Sequence, residues 1–385
     1  RVRWIFIQIS LFQNNSIDDN LWHQFFYYTI IDMEKNGGLG EVMLKNELFF
    51  STYHFGEQLT ATRHANGRDW WLVIPHSIAF TTANNNKYYK FLFSPEGLSG
   101  PYEQEIGEGW GFEFWSGQAT FSPDGTKYAR MNPSNGLRLF GFDRCTGEFS
   151  NPLSIHFPED TIISGGVAFS PNSRFLYVSA GVKVYQFDTW ATDIADSRKT
   201  VAVYDGYMSP LWTLFYQQML APNGKIYITA PNSVDVLHVI HKPDLPGDAC
   251  EFEQHGLQLP TLHDWSIPNF PHFRLYDVPG SPCDTLGIDG PVAVEEAGPE
   301  MEGAVRVYPN PATGEVSLEL PAPLSAEGDW SLHTAAGQVV MEVRLAPGES
   351  RRTVPLKGIV PGLYFWSLRE RGRPVGRGKL VVGGS

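Results

Sequence analysis

Three copies of one turn, about fifty residues apart, restrict what this chain can fold into more than any other feature. Phe121-Ser122-Pro123-Asp124-Gly125 is followed by Lys127-Tyr128, Phe169-Ser170-Pro171-Asn172-Ser173 by Leu176-Tyr177, and Leu220-Ala221-Pro222-Asn223-Gly224 by Ile226-Tyr227. Counted from proline to proline, the copies lie about 48 and about 51 residues apart, a period at which each repeat builds one small sheet. Proline sets φ at the first turn position, and Asn or Asp followed by Gly supplies the positive φ of a tight hairpin. Two copies run on into a strand that closes on Asp, Leu139–Asp143 and Val184–Asp188, where the carboxylates read as turn caps. Strand, hairpin, strand, turn, strand is the unit of a propeller blade; three chance turns in a β-sandwich are the bland alternative. A weaker copy spans Leu59–Ile74 and Tyr88–Phe93 and ends at Ser94-Pro95-Glu96-Gly97. Before it, Phe25–Met33 and Glu41–Phe50 read as a strand pair and Trp4–Phe12 as a further strand. The expectation is an all-β chain with about five propeller blades, of WD40/YVTN-like repeats, over residues 1–279.

The 385-residue chain begins at Arg1 and shows no basic, apolar and small-residue segments in the order of a signal peptide. We therefore expect an N-terminally truncated propeller, with the signal peptide and some blades lying outside this sequence. Aromatic residues make up 14% of the chain, with 38 Gly and 28 Pro, which fits many short strands joined by tight turns. The net charge of −13 repels phosphate backbones, so nucleic acid is not expected as a partner. No apolar run reaches the roughly 18–20 residues of a transmembrane segment. Of three cysteines, Cys250 and Cys283 flank the last propeller strand and its exit, and they are the expected disulfide pair, with Cys145 left over. Their spacing fits no zinc motif.

Alternation stops after Pro279. Residues 280–304 are rich in Gly, Pro, Ala and Glu and read as a flexible acidic linker. Residues 305–385 then read as a small antiparallel β-sandwich, Ig-like in its strand and turn spacing. Four motifs stand in order there: Tyr308-Pro309-Asn310-Pro311, the turn and strand around Ala336-Gly337-Gln338-Val339, Pro361-Gly362-Leu363-Tyr364-Phe365-Trp366, and Gly378-Lys379-Leu380-Val381-Val382. Together they closely resemble the type A sorting domain of the Bacteroidetes type IX (Por) secretion system. That resemblance implies Tyr308, Pro309, Asn310, Pro311, Gly337, Gly362, Tyr364 and Lys379 as the sorting signal. It also implies the secretion machinery as partner, removal of the tail, and a product released or attached at the outer-membrane surface. Gly383-Gly384-Ser385 extends past the usual ending. The region before the linker resembles Bacteroidetes propellers that carry such tails, through Asn66–Trp71, Phe142–Gly147 and Ser266–Pro271; this implies fold and location, not chemistry.

The densest polar constellation is Arg63–Trp71. Asn66-Gly67 marks a turn, which puts His64 and Asp69 at the two ends of a loop, the histidine as base or ligand and the carboxylate orienting it, with Arg68 beside them. A hydrogen-bond network tying strands together explains the same residues. Trp110, Phe112, Phe114 and Trp115 alternate as a glycan-stacking patch or a blade interface would. His238, His241, His255, His263, Asp264 and His272 show no regular ligand spacing, so no metal or other cofactor is expected. The chain also lacks HExxH, GxSxG, P-loop and EF-hand signatures. The favoured reading is a secreted or surface propeller that binds a glycan or protein ligand. The alternatives are a hydrolytic propeller enzyme acting at the central funnel and a structural surface component.

Overall fold

The computed structural model describes residues 3–12, 23–53, 58–76, 86–109, 117–158, 164–265, 267–268, 270–286, 305–320, 322–334, 339–370 and 373–383. The chain divides into two compact units, Arg1–Val292 and Ala293–Ser385.

Among the described residues, the first unit is a run of five antiparallel sheets in chain order. Sheet 1 holds β1 (Arg3–Phe12), β2 (His23–Asp32) and β3 (Glu41–Tyr53). Sheet 2 holds β4 (Thr60–Arg63), β5 (Trp70–Pro75), β6 (Lys87–Ser94) and β7 (Gly97–Glu105). Sheet 3 holds β8 (Gln118–Phe121), β9 (Lys127–Asn132), β10 (Gly136–Phe142) and β11 (Phe149–Ile155). Sheet 4 is β12 (Gly165–Phe169), β13 (Phe175–Ala180), β14 (Lys183–Asp188) and β15 (Lys199–Val203). Sheet 5 is β16 (Gln218–Leu220), β17 (Ile226–Ile228), β18 (Val234–Ile240) and β19 (Phe252–His263). Each four-stranded sheet is an up-and-down meander, and the first strands β4, β8, β12 and β16 neighbour one another on the inside. This is a β-propeller.

The middle sheets are buried on both faces, which is why their strands read as near-continuous apolar runs. Along β5, Trp71 and Val73 face sheet 3, whereas Leu72 and Ile74 face sheet 1. Sheet 4 repeats the division. Leu176, Val178 and Ala180 pack on sheet 3, and Phe175 and Tyr177 pack on sheet 5. A period of two thus supplies two cores from one strand, and successive blades are joined by apolar burial at ~25 cal/mol per Å².

The repeated turn does what its residues dictate. Asp124 and Asn223 each accept a backbone N–H two residues on, and the positive φ falls at Gly125, at Gly224 and, in the second copy, at Ser173. Ser173 also accepts a hydrogen bond from the Asp124 amide at 3.1 Å, tying the turn of sheet 3 to that of sheet 4. Asp143 and Asp188 accept backbone N–H groups of the turns that follow them.

Inner strands approach so closely at one point that no side chain fits. A Cβ on Gly166 would collide with the Tyr216 carbonyl and lie 2.7 Å from the Gln217 Cα, both backbone atoms. Gly166→Val is therefore expected to destabilise the propeller by about 1–3 kcal/mol or more, the cost of overpacking against fixed backbone. Urea unfolding measures it, and an unchanged midpoint would contradict the close approach.

The disulfide joins Cys145 to Cys283, not Cys250 to Cys283 as the flanking positions led us to expect. The reason is the route of the chain after β19. Residues 273–283 run beneath the turns of sheets 2 and 3, which delivers Cys283 to the β10–β11 turn. Cys250 is a free thiol with no exposure, packed between sheets 4 and 5. The same route fastens residues 280–283 to the propeller, although their composition reads as the start of the linker.

The second unit packs two sheets face to face. One is β20 (Arg306–Tyr308), β21 (Glu315–Glu319) and β24 (Arg351–Pro355), in the order β20-β21-β24. The other is β22 (Gly328–His333), β23 (Val339–Leu345), β25 (Gly362–Glu370) and β26 (Arg373–Val382), in the order β23-β22-β25-β26. Trp330, Leu332, Leu368 and Leu380 from one sheet and Val316, Leu318 and Val354 from the other fill a single core.

Candidate functional site

The His64 constellation is a knot of protein-to-protein bonds. His64 Nε2 donates to the Cys145 carbonyl at 3.0 Å, and its Nδ1 accepts the Asn66 amide at 3.1 Å. Asp69 receives Asn66 Nδ2 at 2.7 Å and Arg68 Nε at 2.6 Å. Arg144 reaches across from sheet 3 to the Arg63 carbonyl at 2.8 Å and to the carbonyls of His64 and Tyr276. Burial, helped by the neighbouring Arg63 charge, lowers Arg144 to about 10. His64 and Asp69 do lie at the ends of one turn, as the motif predicts, and His64 N–H donates to the Asp69 carbonyl at 2.8 Å. Trp110 and Trp115, the glycan-patch candidates, lie outside the described residues.

At the inner strands, glutamines bridge the blades. Gln118 accepts the amides of Val167 and Gln218 and donates to the Gln218 carbonyl at 2.7 Å, while Gln218 donates to Ser179 Oγ at 2.8 Å. Pro268, Phe270 and His272 of the exit segment lie against these strands and line a cleft with Gln118, Thr120, Ala168 and Gln218. Burial lowers the His272 pKa, against a backbone hydrogen bond with Phe121.

A different surface holds unpaired apolar groups in fixed positions. Between β15 and β16 the chain reads Tyr207-Met208-Ser209-Pro210-Leu211-Trp212, and Tyr207, Met208, Leu211 and Trp212 are all exposed, Trp212 by 58%. The backbone of this ledge is nonetheless anchored. The Tyr207 amide donates to Asp205, its carbonyl receives Tyr204 Oη and Thr213 Oγ1, and the Trp212 carbonyl receives Asn232 Nδ2 at 2.8 Å. Asp205 pairs with His255 Nε2 at 3.1 Å, and the His255 ring lies 4.1 Å from that of Tyr207. Behind them sits His238, 1% exposed, donating through Nε2 to the Thr213 carbonyl at 2.9 Å and accepting the His255 amide at Nδ1. Burial lowers His238 to about 4. Sequence reading named both histidines but not the ledge, whose signal was an apolar run where turn residues are the rule.

In the tail, the sorting motifs converge on the last strand. Asn310 donates through Nδ2 to the Lys379 carbonyl at 2.9 Å and accepts the Val381 amide at 2.9 Å. Ala312 pairs with Val381 and Gly383, so residues 310–312 close the edge of β26 along 379–383. Tyr364 is buried, with its hydroxyl on the Val360 carbonyl at 2.8 Å, two residues before Gly362. Trp366 covers Gly378, where a Cβ would come within 2.8 Å of the indole. Gly337 lies outside the described residues. Residues 306–383 match the family described as the secretion system C-terminal sorting domain.

The tail is a type IX sorting domain. The chain is accordingly a propeller cargo of that system, secreted or held at the outer-membrane surface, and no described helix is long and apolar enough to cross a membrane. Among solved structures, the cargo is similar to a protein from Lactobacillus plantarum at 16% identity, over 62% of this chain and 69% of that one, with a TM-score of 0.39. It is similar to the Dos1 propeller at 12% identity, over 64% and 59%, with a TM-score of 0.37. The periplasmic gluconolactonase of Pseudomonas aeruginosa is 12% identical over 93% and 92%, with a TM-score of 0.36. No curated protein matches the sequence.

Proposed function

We propose that the exported propeller is a binding module that presents the Tyr207–Trp212 ledge to an extracellular glycan. The observation that carries this reading is exposure without freedom: four large apolar side chains face solvent on a backbone pinned by hydrogen bonds. A pre-organised apolar surface loses little entropy on binding, and burying it is favourable. Aromatic faces suit the apolar face of a sugar ring, while Asp205 and the polar edge of His255 offer hydrogen bonds to hydroxyls. A glycoside-hydrolysing site would call for a pair of carboxylates, whereas the cleft beside the inner strands is lined by Gln, Thr and His as its polar groups.

The test is a glycan array probed with the purified chain, followed by titration of any hit against Trp212→Ala. Loss of one stacked indole is expected to weaken binding about tenfold, or ~1.4 kcal/mol. An empty array, or equal affinity for the variant, would remove the proposal.

A further inference from the structure

The tail is a folded two-sheet domain, so a partner that recognises it in this form needs a surface it can reach. Most large apolar side chains of the four-stranded sheet point inward, where Tyr364, Trp366 and Leu368 on β25 and Leu380 and Val382 on β26 join the core. The residues that alternate with them point the other way, and at one end of the sheet these too are apolar. Leu363, 48% exposed, is the register partner of Val381, which is also exposed. In the next row, exposed Phe365 lies between His333 on β22 and Lys379 on β26, and exposed Val339 stands opposite His333. Farther along, the face becomes polar, with Ser331 and Ser367 hydrogen-bonded to each other at 2.9 Å.

We propose that this apolar row, Val339, Phe365, Leu363 and Val381 with Lys379 at its rim, is the surface on which a component of the secretion machinery docks, and that the matching surface is apolar with an acidic rim. Charge fixes the sign of that rim. Residues 305–385 carry ten Lys and Arg against seven Asp and Glu, whereas the whole chain carries 29 against 42. The strand that bears Lys379 and Val381 has three cations and no acid. An acidic rim is therefore drawn to the tail and repelled by the net charge of the rest of the cargo, which lets a partner tell the signal from the passenger. On the β26 side the sheet face is what remains for a partner, because Asn310 and Ala312 already occupy the β26 edge along 379–383. Strand addition is blocked there, and face packing is not.

The chain is produced behind an added cleavable signal peptide in a bacterium with a working type IX system, and the amounts in the periplasm and outside the cell are compared. Leu363→Ser with Phe365→Ser is expected to lower the exported amount at least tenfold and leave protease-resistant protein in the periplasm. The paired change Arg351→Ser with Thr353→Ser, on exposed positions of β24 in the other sheet, is expected to export normally. Normal export of the first variant, or equal retention of both, would overturn the assignment. Should the first variant lose the thermal transition of the tail, Lys379→Glu decides. It changes one exposed charge, and we expect retention of a folded chain; export at the wild-type level would overturn the proposal.

Discussion

Cys283→Ser, or reduction of the Cys145–Cys283 disulfide, is expected to lower the unfolding free energy of the propeller by about 3–5 kcal/mol. The two cysteines are 138 residues apart, and the chain-entropy cost of closing a loop of that size is ~5 kcal/mol. The clip also protects what lies beside it. Residues 273–278 satisfy polar groups beside sheets 2 and 3: the Phe273 carbonyl accepts Arg63, the Tyr276 carbonyl accepts Arg144, and the Val278 amide donates to the Ala65 carbonyl. If that segment leaves, Arg144 and the Ala65 carbonyl lose partners in a place where water is largely excluded, which is costly for a guanidinium above all. The variant should therefore show a lower urea midpoint together with new protease cleavage within residues 265–283. Cys250→Ala is the informative control. It removes one buried thiol from the core between sheets 4 and 5, at about 1 kcal/mol, and should leave the exit segment resistant. Equal midpoints for Cys283→Ser and wild type would show that the clip contributes nothing.

Acid should loosen the same unit from another side. His238 is neutral in the fold because burial disfavours its charge, and its two hydrogen bonds specify that form: Nε2–H meets the Thr213 carbonyl, and bare Nδ1 meets the His255 N–H. A proton added at Nδ1 would face that N–H donor. The folded-state value of about 4 lies below the ordinary 6.5, so between these values the unfolded chain binds more protons than the folded one. The contribution of His238 is whole above pH 6.5, falls as pH drops, and is gone below pH 4. At about 1.4 kcal/mol per unit this amounts to ~3 kcal/mol. His272, also lowered by burial, adds a smaller effect of the same sign. Asp124, Asp188 and Asp205 have carboxyls held below their ordinary values, so their losses come at lower pH and can be separated. The check is urea unfolding of wild type and His238→Gln from pH 7.5 to 4.5. The variant starts less stable but should decline less steeply. Parallel profiles would refute the assignment. Because Thr213 also anchors the Tyr207 carbonyl, binding at the ledge is expected to weaken over the same range.

What could be read from the sequence follows from the range of each interaction. The Pro-Asn/Asp-Gly turns, the two-residue alternation of β5 and β13, and the four tail motifs are local, and each carries its geometry within a few residues. Asn310 is a borderline case. Its motif is visible in the sequence, but its task of closing the β26 edge 69 residues away is visible only in the fold. The disulfide partner was not legible, because it depends on the path of residues 264–283, a segment with no periodicity from which to infer a direction. The His64–Asp69 turn shows the converse problem. An Asn whose side chain caps a turn and an Arg bound to its neighbouring Asp present the same residues as a binding loop, so the letters alone do not separate the two. The ledge was missed because an exposed apolar run and a buried one are written in the same letters.

The exit segment has a consequence in time. The turns at Ala65 and Arg144 are synthesised early, but the Val278 amide and Tyr276 carbonyl that complete them, and the cysteine that locks them, belong to the last stretch before the tail. Sheets 2 and 3 therefore wait for residues made long after their own strands. Any machine that recognises the tail meets a chain in which residues 276–283 have already been made, so a signal placed after them is presented only once the turns of sheets 2 and 3 can be completed.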